Sequence, residues 1–72
     1  MITTTGIAVP EDMAAALAED PETLTAFGAL WATDQLEYVH WLGKPGQQTR
    51  AQRLGEIAGH VRNHKHRMAL KD

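Results

Sequence analysis

Three histidines crowd the C-terminal end of this chain. His60 and His64 stand four residues apart, so on a helix they share a face, and His66 follows closely. Zinc sites use that spacing. The sequence has no cysteine to complete such a site, and no glutamate lies between two histidines as in the H-E-x-x-H motif. On a continuing helix His66 projects away from the other two. The pattern fits a solvated helix end whose imidazoles help cap the last carbonyls, and no metal or other cofactor is expected.

Other chemistry-bearing residues are as sparse. There is no serine and no cysteine, and threonine is rarely a nucleophile except at a processed N-terminus. Asp12, Asp34 and Glu37 become a general acid/base pair only if the fold happens to join them. Gly43-Lys44-Pro45-Gly46 has the composition of a phosphate loop, but no strand leads into it. No catalytic residue is assigned, and the chain is expected not to be an enzyme.

Charge is the stronger signal. Residues 1–43 hold seven carboxylates and no Lys or Arg, whereas all seven cations (Lys44, Arg50, Arg53, Arg62, Lys65, Arg67 and Lys71) lie in residues 44–72. Such polarity has two readings. The basic half presents a face to an anionic partner, with Arg50, Arg53, Arg62, Lys65 and Arg67 as nucleic-acid contacts. Alternatively the halves pack together, and Arg50 and Arg53 pair with Asp34 or Glu37 or stack on Trp41. The second is the ordinary outcome, and the net charge of −2 does not favour nucleic acid. Trp31 either anchors a partner protein or covers the core. The candidate contact surface is therefore Trp31, Lys44, Arg50, Arg53 and Arg62, for a protein partner the sequence does not name.

These side chains need elements to hold them. Seventy-two residues allow one small domain. Strand patterning is absent, and Ala, Leu, Glu, Gln and Arg favour helix. Four segments carry start and stop signals. The first spans about 10–19, with Pro10 at the first helical position and Met13, Ala16 and Leu17 on one face. Asp20-Pro21 opens the second, which carries Leu24, Phe27, Leu30 and Trp31. Thr33 is an N-cap candidate for a third, about 34–42, apolar on two sides through Leu36, Val39, Tyr38, Trp41 and Leu42. Such a helix is expected to be the central, most buried one. Thr49-Arg50-Ala51-Gln52 has capping-box form and opens the fourth, about 50–64 or beyond, with Leu54, Ile57, Ala58 and Val61 as its buried stripe and Met68 as a candidate extension of it. Gly55 and Gly59 on that helix suggest close approach of another helix. The fold class is all-α, a small single-domain bundle of three to four short helices. A flexible segment, 1–8, precedes the helical domain, 9–66, and a tail, 67–72, follows it.

The order of several short motifs adds a resemblance. Val9-Pro10-Glu11-Asp12-Met13 with Ala16-Leu17, then Phe27 with Leu30, then Tyr38-Val39-His40-Trp41-Leu42 resemble the YdeI/OmpD-associated (bacteriocin-protection, OmdA-like) family. Thr49-Arg50-Ala51-Gln52-Arg53-Leu54 is similar to that family's T-R-x-R-R-[IL] segment. Gln52 stands where the family often has Arg, and the stretch between Trp41 and Thr49 is one residue shorter. The resemblance implies an all-helical fold, no catalytic residue, and a link to protection against antimicrobial peptides. No run approaches the roughly 18 apolar residues of a membrane span, and the first residues lack the basic and apolar regions of a signal peptide, so a cytoplasmic location is expected.

Overall fold

A computed structural model describes residues 1–64. It is an all-α domain of four helices: α1 (Glu11–Ala18), α2 (Pro21–Ala29), α3 (Ala32–Gly43) and α4 (Arg50–Asn63). Lys65, His66, Arg67, Met68 and Lys71, with the end of the expected domain and its tail, lie outside the described residues. Among the described residues no helix is long and apolar enough to cross a membrane.

Each helix starts for a local reason. Pro10 is the N-cap of α1 with ψ at 150°, so the helix opens at Glu11, one residue later than the sequence suggests. Asp20 caps α2: its carboxylate accepts from the Glu22 N–H at 3.1 Å and from the Thr23 hydroxyl at 3.1 Å, with Pro21 next in line. The capping box of α4 is complete, Gln52 N–H donating to Thr49 Oγ1 at 3.1 Å and Thr49 N–H to Gln52 Oε1 at 2.8 Å. Both satisfy amides that the first turn of a helix leaves without partners.

The start of α3 departs from expectation. Thr33 is not its cap. Trp31 occupies the N-cap position without a side-chain bond to the helix's first amides, and the helix opens at Ala32. The reason lies in Gln35. Its Nε2 donates to the Leu30 carbonyl at 3.2 Å, which α2 leaves open at its end, and to the Phe27 carbonyl at 2.9 Å, which also accepts the Leu30 amide. Its Oε1 accepts from the hydroxyls of Thr3 at 2.9 Å and Thr5 at 2.6 Å. Opening α3 at Ala32 places Gln35 over the end of α2, where it closes the corner.

Those threonines belong to a structured leader, residues 1–8, whose groups also bond to one another. Ile2 and Ala8 form an isolated antiparallel bridge, Thr3 N–H donates to the Ile7 carbonyl at 2.9 Å, and Gly6, at φ 88°, donates back to Thr3 at 2.9 Å. That positive φ suits glycine, which has no Cβ to clash.

The core is Val9, Met13, Leu17, Phe27, Leu30, Leu42, Ile57 and Val61. It sits mainly among α1, α2 and α4, which pack on one another more extensively than α3 packs on α4. The expectation that α3 is the most buried helix is therefore overturned. Leu36 is exposed, and Tyr38, Val39 and Trp41 are only half-buried. Besides Leu42, the buried face of α3 is polar: Asp34 and Gln35. An apolar count alone misplaced it, because the deepest positions of α3 are spent on hydrogen bonds to its neighbours. Leu54 is likewise half-buried, while Ile57 and Val61 hold the stripe of α4.

Two predictions follow from this packing. Gln35→Ala takes the side-chain donor from the buried Leu30 carbonyl and the shared acceptor from Thr3 and Thr5, at roughly 1–3 kcal/mol for a buried polar group left unsatisfied. A urea melt should show a loss of about 3 kcal/mol, whereas a neutral change would deny Gln35 its role at the corner. The close helix approach expected at Gly55 and Gly59 is absent, since a Cβ at either meets nothing within 4 Å. Gly55→Ala should therefore raise stability by about 1 kcal/mol through helix propensity, read as a melting temperature several degrees higher.

Candidate functional site

Tyr38 and Trp41 are three apart on α3, so they project on one face. His60 and His64, four apart, do the same at the end of α4. Where α3 leans on α4 these faces meet, and Glu37 completes the lining of a groove of 290 Å³. The His60 ring stands nearly edge-on to Trp41, with centroids 5.3 Å apart and planes at 78°. Tyr38 sits between the rings of Phe27, at 6.3 Å, and His64, at 5.5 Å.

One polar chain runs from the groove into the interior. The Tyr38 hydroxyl lies 2.9 Å from His64 Nδ1 and 3.3 Å from the His60 carbonyl. On its other side, His64 Nε2 lies 3.5 Å from a carboxylate oxygen of Asp34, which is 2% exposed. A His64 ring with its hydrogen on Nε2 faces that N–H to Asp34 and accepts a hydrogen bond from the phenol at Nδ1, a tautomer that suits both neighbours. Burial, then the charges of Asp34 and Glu37, push the Tyr38 phenol above its ordinary value. The phenol thereby holds its proton more firmly than a solvated tyrosine does.

The histidines do not form the zinc arrangement that their spacing allows. His60 Nε2 turns to Glu56 at 3.7 Å, while His64 turns to Tyr38 and Asp34. Among the described residues no three histidine or carboxylate side chains converge as a metal site would require. His66 lies outside them.

The five candidate contact residues are spread apart. Trp31 is 49% exposed at the start of α3, and Lys44 is exposed at its far end. A twelve-residue helix separates the two by about 18 Å at its rise per residue. Arg50 is held by Asp12 through two hydrogen bonds, Nε at 2.7 Å and a terminal nitrogen at 3.0 Å. Arg62 reaches Asp20 at 3.5 Å. The acidic partners are therefore those of α1 and α2, in place of Asp34 and Glu37.

Arg53 is a correction. It is buried, not a surface cation. One terminal nitrogen donates to the carbonyls of Trp41 and Lys44, the latter at 2.6 Å, and its guanidinium lies 5.4 Å from the Trp41 ring centroid, as the stacking alternative anticipates. It caps the end of α3, where a positive charge meets the negative end of the helix dipole. A Cβ at Gly46 would come within 2.7 Å of this guanidinium, so a side chain there would push the Arg53 head group aside. Of the cations considered for a nucleic-acid face, Arg50 and Arg62 are paired, Arg53 is buried, and Lys65 and Arg67 lie outside the described residues.

The motifs that carried the family resemblance thus have places in the fold: Asp12 and Arg50 bridge α1 to α4, Arg53 and Trp41 close α3, and Met13, Leu17 and Phe27 build the core. A family model described as OmdA, bacteriocin-protection, YdeI or OmpD-associated, matches residues 7–63. The chain belongs to the OmdA family. The match runs from the structured leader to the last residue of α4, so the whole four-helix unit is the OmdA domain. No curated protein and no solved structure matches the chain significantly.

The groove was not legible as a site in this OmdA sequence. Its two halves show as i,i+3 and i,i+4 pairs, but nothing local says that they face each other.

The bridge between α1 and α4 has a readable pH signature. The Arg50 hydrogen bond, opposed by slight desolvation and aided by the Met13 amide, holds the Asp12 carboxyl below its ordinary 3.8. A depressed carboxyl contributes stability that is present above the unfolded value and lost as pH falls through the folded one. Arg50→Gln should bring the Asp12 titration, followed by carboxyl carbon NMR, back up towards 3.8. An unmoved Asp12 would mean that the pair does not form in solution.

Proposed function

We propose that this chain is a small non-enzymatic interaction module acting in bacteriocin protection, with the α3–α4 groove as its contact surface. The family match supports the setting. The single observation that carries the reading is the groove itself, an open 290 Å³ depression whose lining is aromatic and imidazole rings with one carboxylate. Aromatic side chains give large, rigid contact area at little entropic cost, as in the energetic centres of protein interfaces.

The groups beside the groove argue for recognition over turnover. The Tyr38 phenol is held protonated, the chain has no serine or cysteine, and Asp34 and His64 face each other and Tyr38. The contact surface thereby moves from the Trp31 and Arg50/Arg53 region to Tyr38, Trp41 and His60. Among the described residues, salt bridges and burial occupy the arginines that a phosphate-binding face would need.

The test is survival of bacteriocin-challenged cells that carry the chain. Tyr38→Ala and His60→Ala should lose protection while circular dichroism melts still show a folded domain, and Trp31→Ala should keep it. Bacteriocin incubated with the pure chain should be recovered with unchanged mass. Full protection by both groove variants, or a cleaved or modified bacteriocin, would overturn the reading.

A further inference from the structure

We infer that Arg53 is a positioning residue of the α3–α4 groove, holding the Trp41 indole from inside the fold as a fixed wall; this rests on the groove being the contact surface proposed above. The indole needs such a hold. Trp41 is half-buried. A side chain with water on one side keeps several rotamers open unless its neighbours close them. A partner that binds a loose ring must first order it, and that ordering weakens the contact.

Two groups of α4 supply the hold. Arg53 and His60 are seven apart, so they stand on one stripe of that helix, two turns or about 10.5 Å from each other. The Trp41 ring lies 5.4 Å from the Arg53 guanidinium and 5.3 Å from the His60 ring. It therefore sits in the gap between those turns. The two neighbours differ in what fixes them. His60 is exposed, and its Nε2 makes a loose contact with Glu56 at 3.7 Å. Arg53 is buried and anchored, one terminal nitrogen donating to the carbonyls of Trp41 and Lys44. One guanidinium thus holds both the backbone and the ring of Trp41.

The double hold calls for arginine. A guanidinium is a planar fork that bonds carbonyls through its edge and lies against a ring without shedding a tight hydration shell. A lysine ammonium is a compact, strongly hydrated point on a flexible stem. It keeps a positive charge at the end of α3 and gives up the contact with the ring. Gly46 offers a second handle on the same group. A Cβ there comes within 2.7 Å of the other terminal nitrogen of Arg53. Gly46 does not have a positive φ, so alanine strains no backbone and acts by displacing the guanidinium.

The test follows the Trp41 indole and protection together in the full 72-residue chain. In the parent, NMR should show nuclear Overhauser contacts between the Trp41 and His60 rings. Arg53→Lys and Gly46→Ala should both lose those contacts and shift the Trp41 indole N–H, while circular dichroism still shows a folded domain. A ring ordered in advance is worth about 2- to 10-fold in affinity, so the bacteriocin dose that kills half the cells should fall by about that factor in both variants. Arg50→Gln, which breaks the bridge to Asp12 and leaves Arg53 in place, should keep the ring contacts and the parent's dose. If Arg53→Lys does not fold, Gly46→Ala decides alone. Ring contacts that survive the displacement of Arg53 would overturn the proposal. Equal loss of contacts in Arg50→Gln would overturn it as general loosening. Lost contacts with an unchanged dose, where Tyr38→Ala and His60→Ala abolish protection, would overturn it while leaving the contact surface intact. Full protection by Tyr38→Ala and His60→Ala would remove the contact surface itself, and Arg53 would remain a helix cap.

Discussion

One buried amide holds together the corner where the leader, α2 and α3 meet. Gln35 joins three segments that share little apolar contact: the leader through Thr3 and Thr5, the end of α2 through Phe27 and Leu30, and α3 through its own backbone. A helix end leaves carbonyls without partners, and burying them unpaired is costly. At the end of α2 no glycine C-cap answers that need. The side chain of Gln35 does, from the next helix. Its position sets where α3 begins, and so which way Tyr38 and Trp41 point a turn or two later.

The other end of α3 obeys the same constraint with a different group. Arg53, from α4, bonds the carbonyls of Trp41 and Lys44 and lies against the Trp41 ring. Buried charge is tolerable where backbone dipoles and a ring face take the place of water. With Gln35 at one end and Arg53 at the other, α3 is pinned by polar groups although it adds little to the apolar core. That explains why a helix so rich in aromatic residues keeps them half-exposed. Its attachment does not depend on sinking them, and they remain available to line a groove.

The division of charge along the chain is resolved in the same economical way. Asp12 meets Arg50 and Asp20 meets Arg62, so α1 and the start of α2 are tied to both ends of α4. These pairs orient helices that the core residues Met13, Leu17, Ile57 and Val61 already bring together. Among the described residues, what remains at the surface is mostly acidic.

Much of this protein was legible in its sequence because the signals are local. Asp20-Pro21 and the Thr49 capping box mark helix starts through hydrogen bonds within four residues, so neighbours in the chain suffice to read them. Met13, Leu17, Ile57 and Val61 fall on helical stripes, and a stripe identifies a buried face whatever it packs against. The family motifs are equally local strings. Tertiary structure alone decided the rest. Whether Trp41 is buried, whether Arg53 is a surface cation or an internal cap, and whether Tyr38 meets His64 all depend on groups 12 to 26 positions away. Even the start of α3 follows from carbonyls that belong to α2. Local patterning determines which residues form helices, because those hydrogen bonds close within a few residues. The groove exists only where two helices meet, and the angle at which they meet is set by buried polar contacts that no periodicity records.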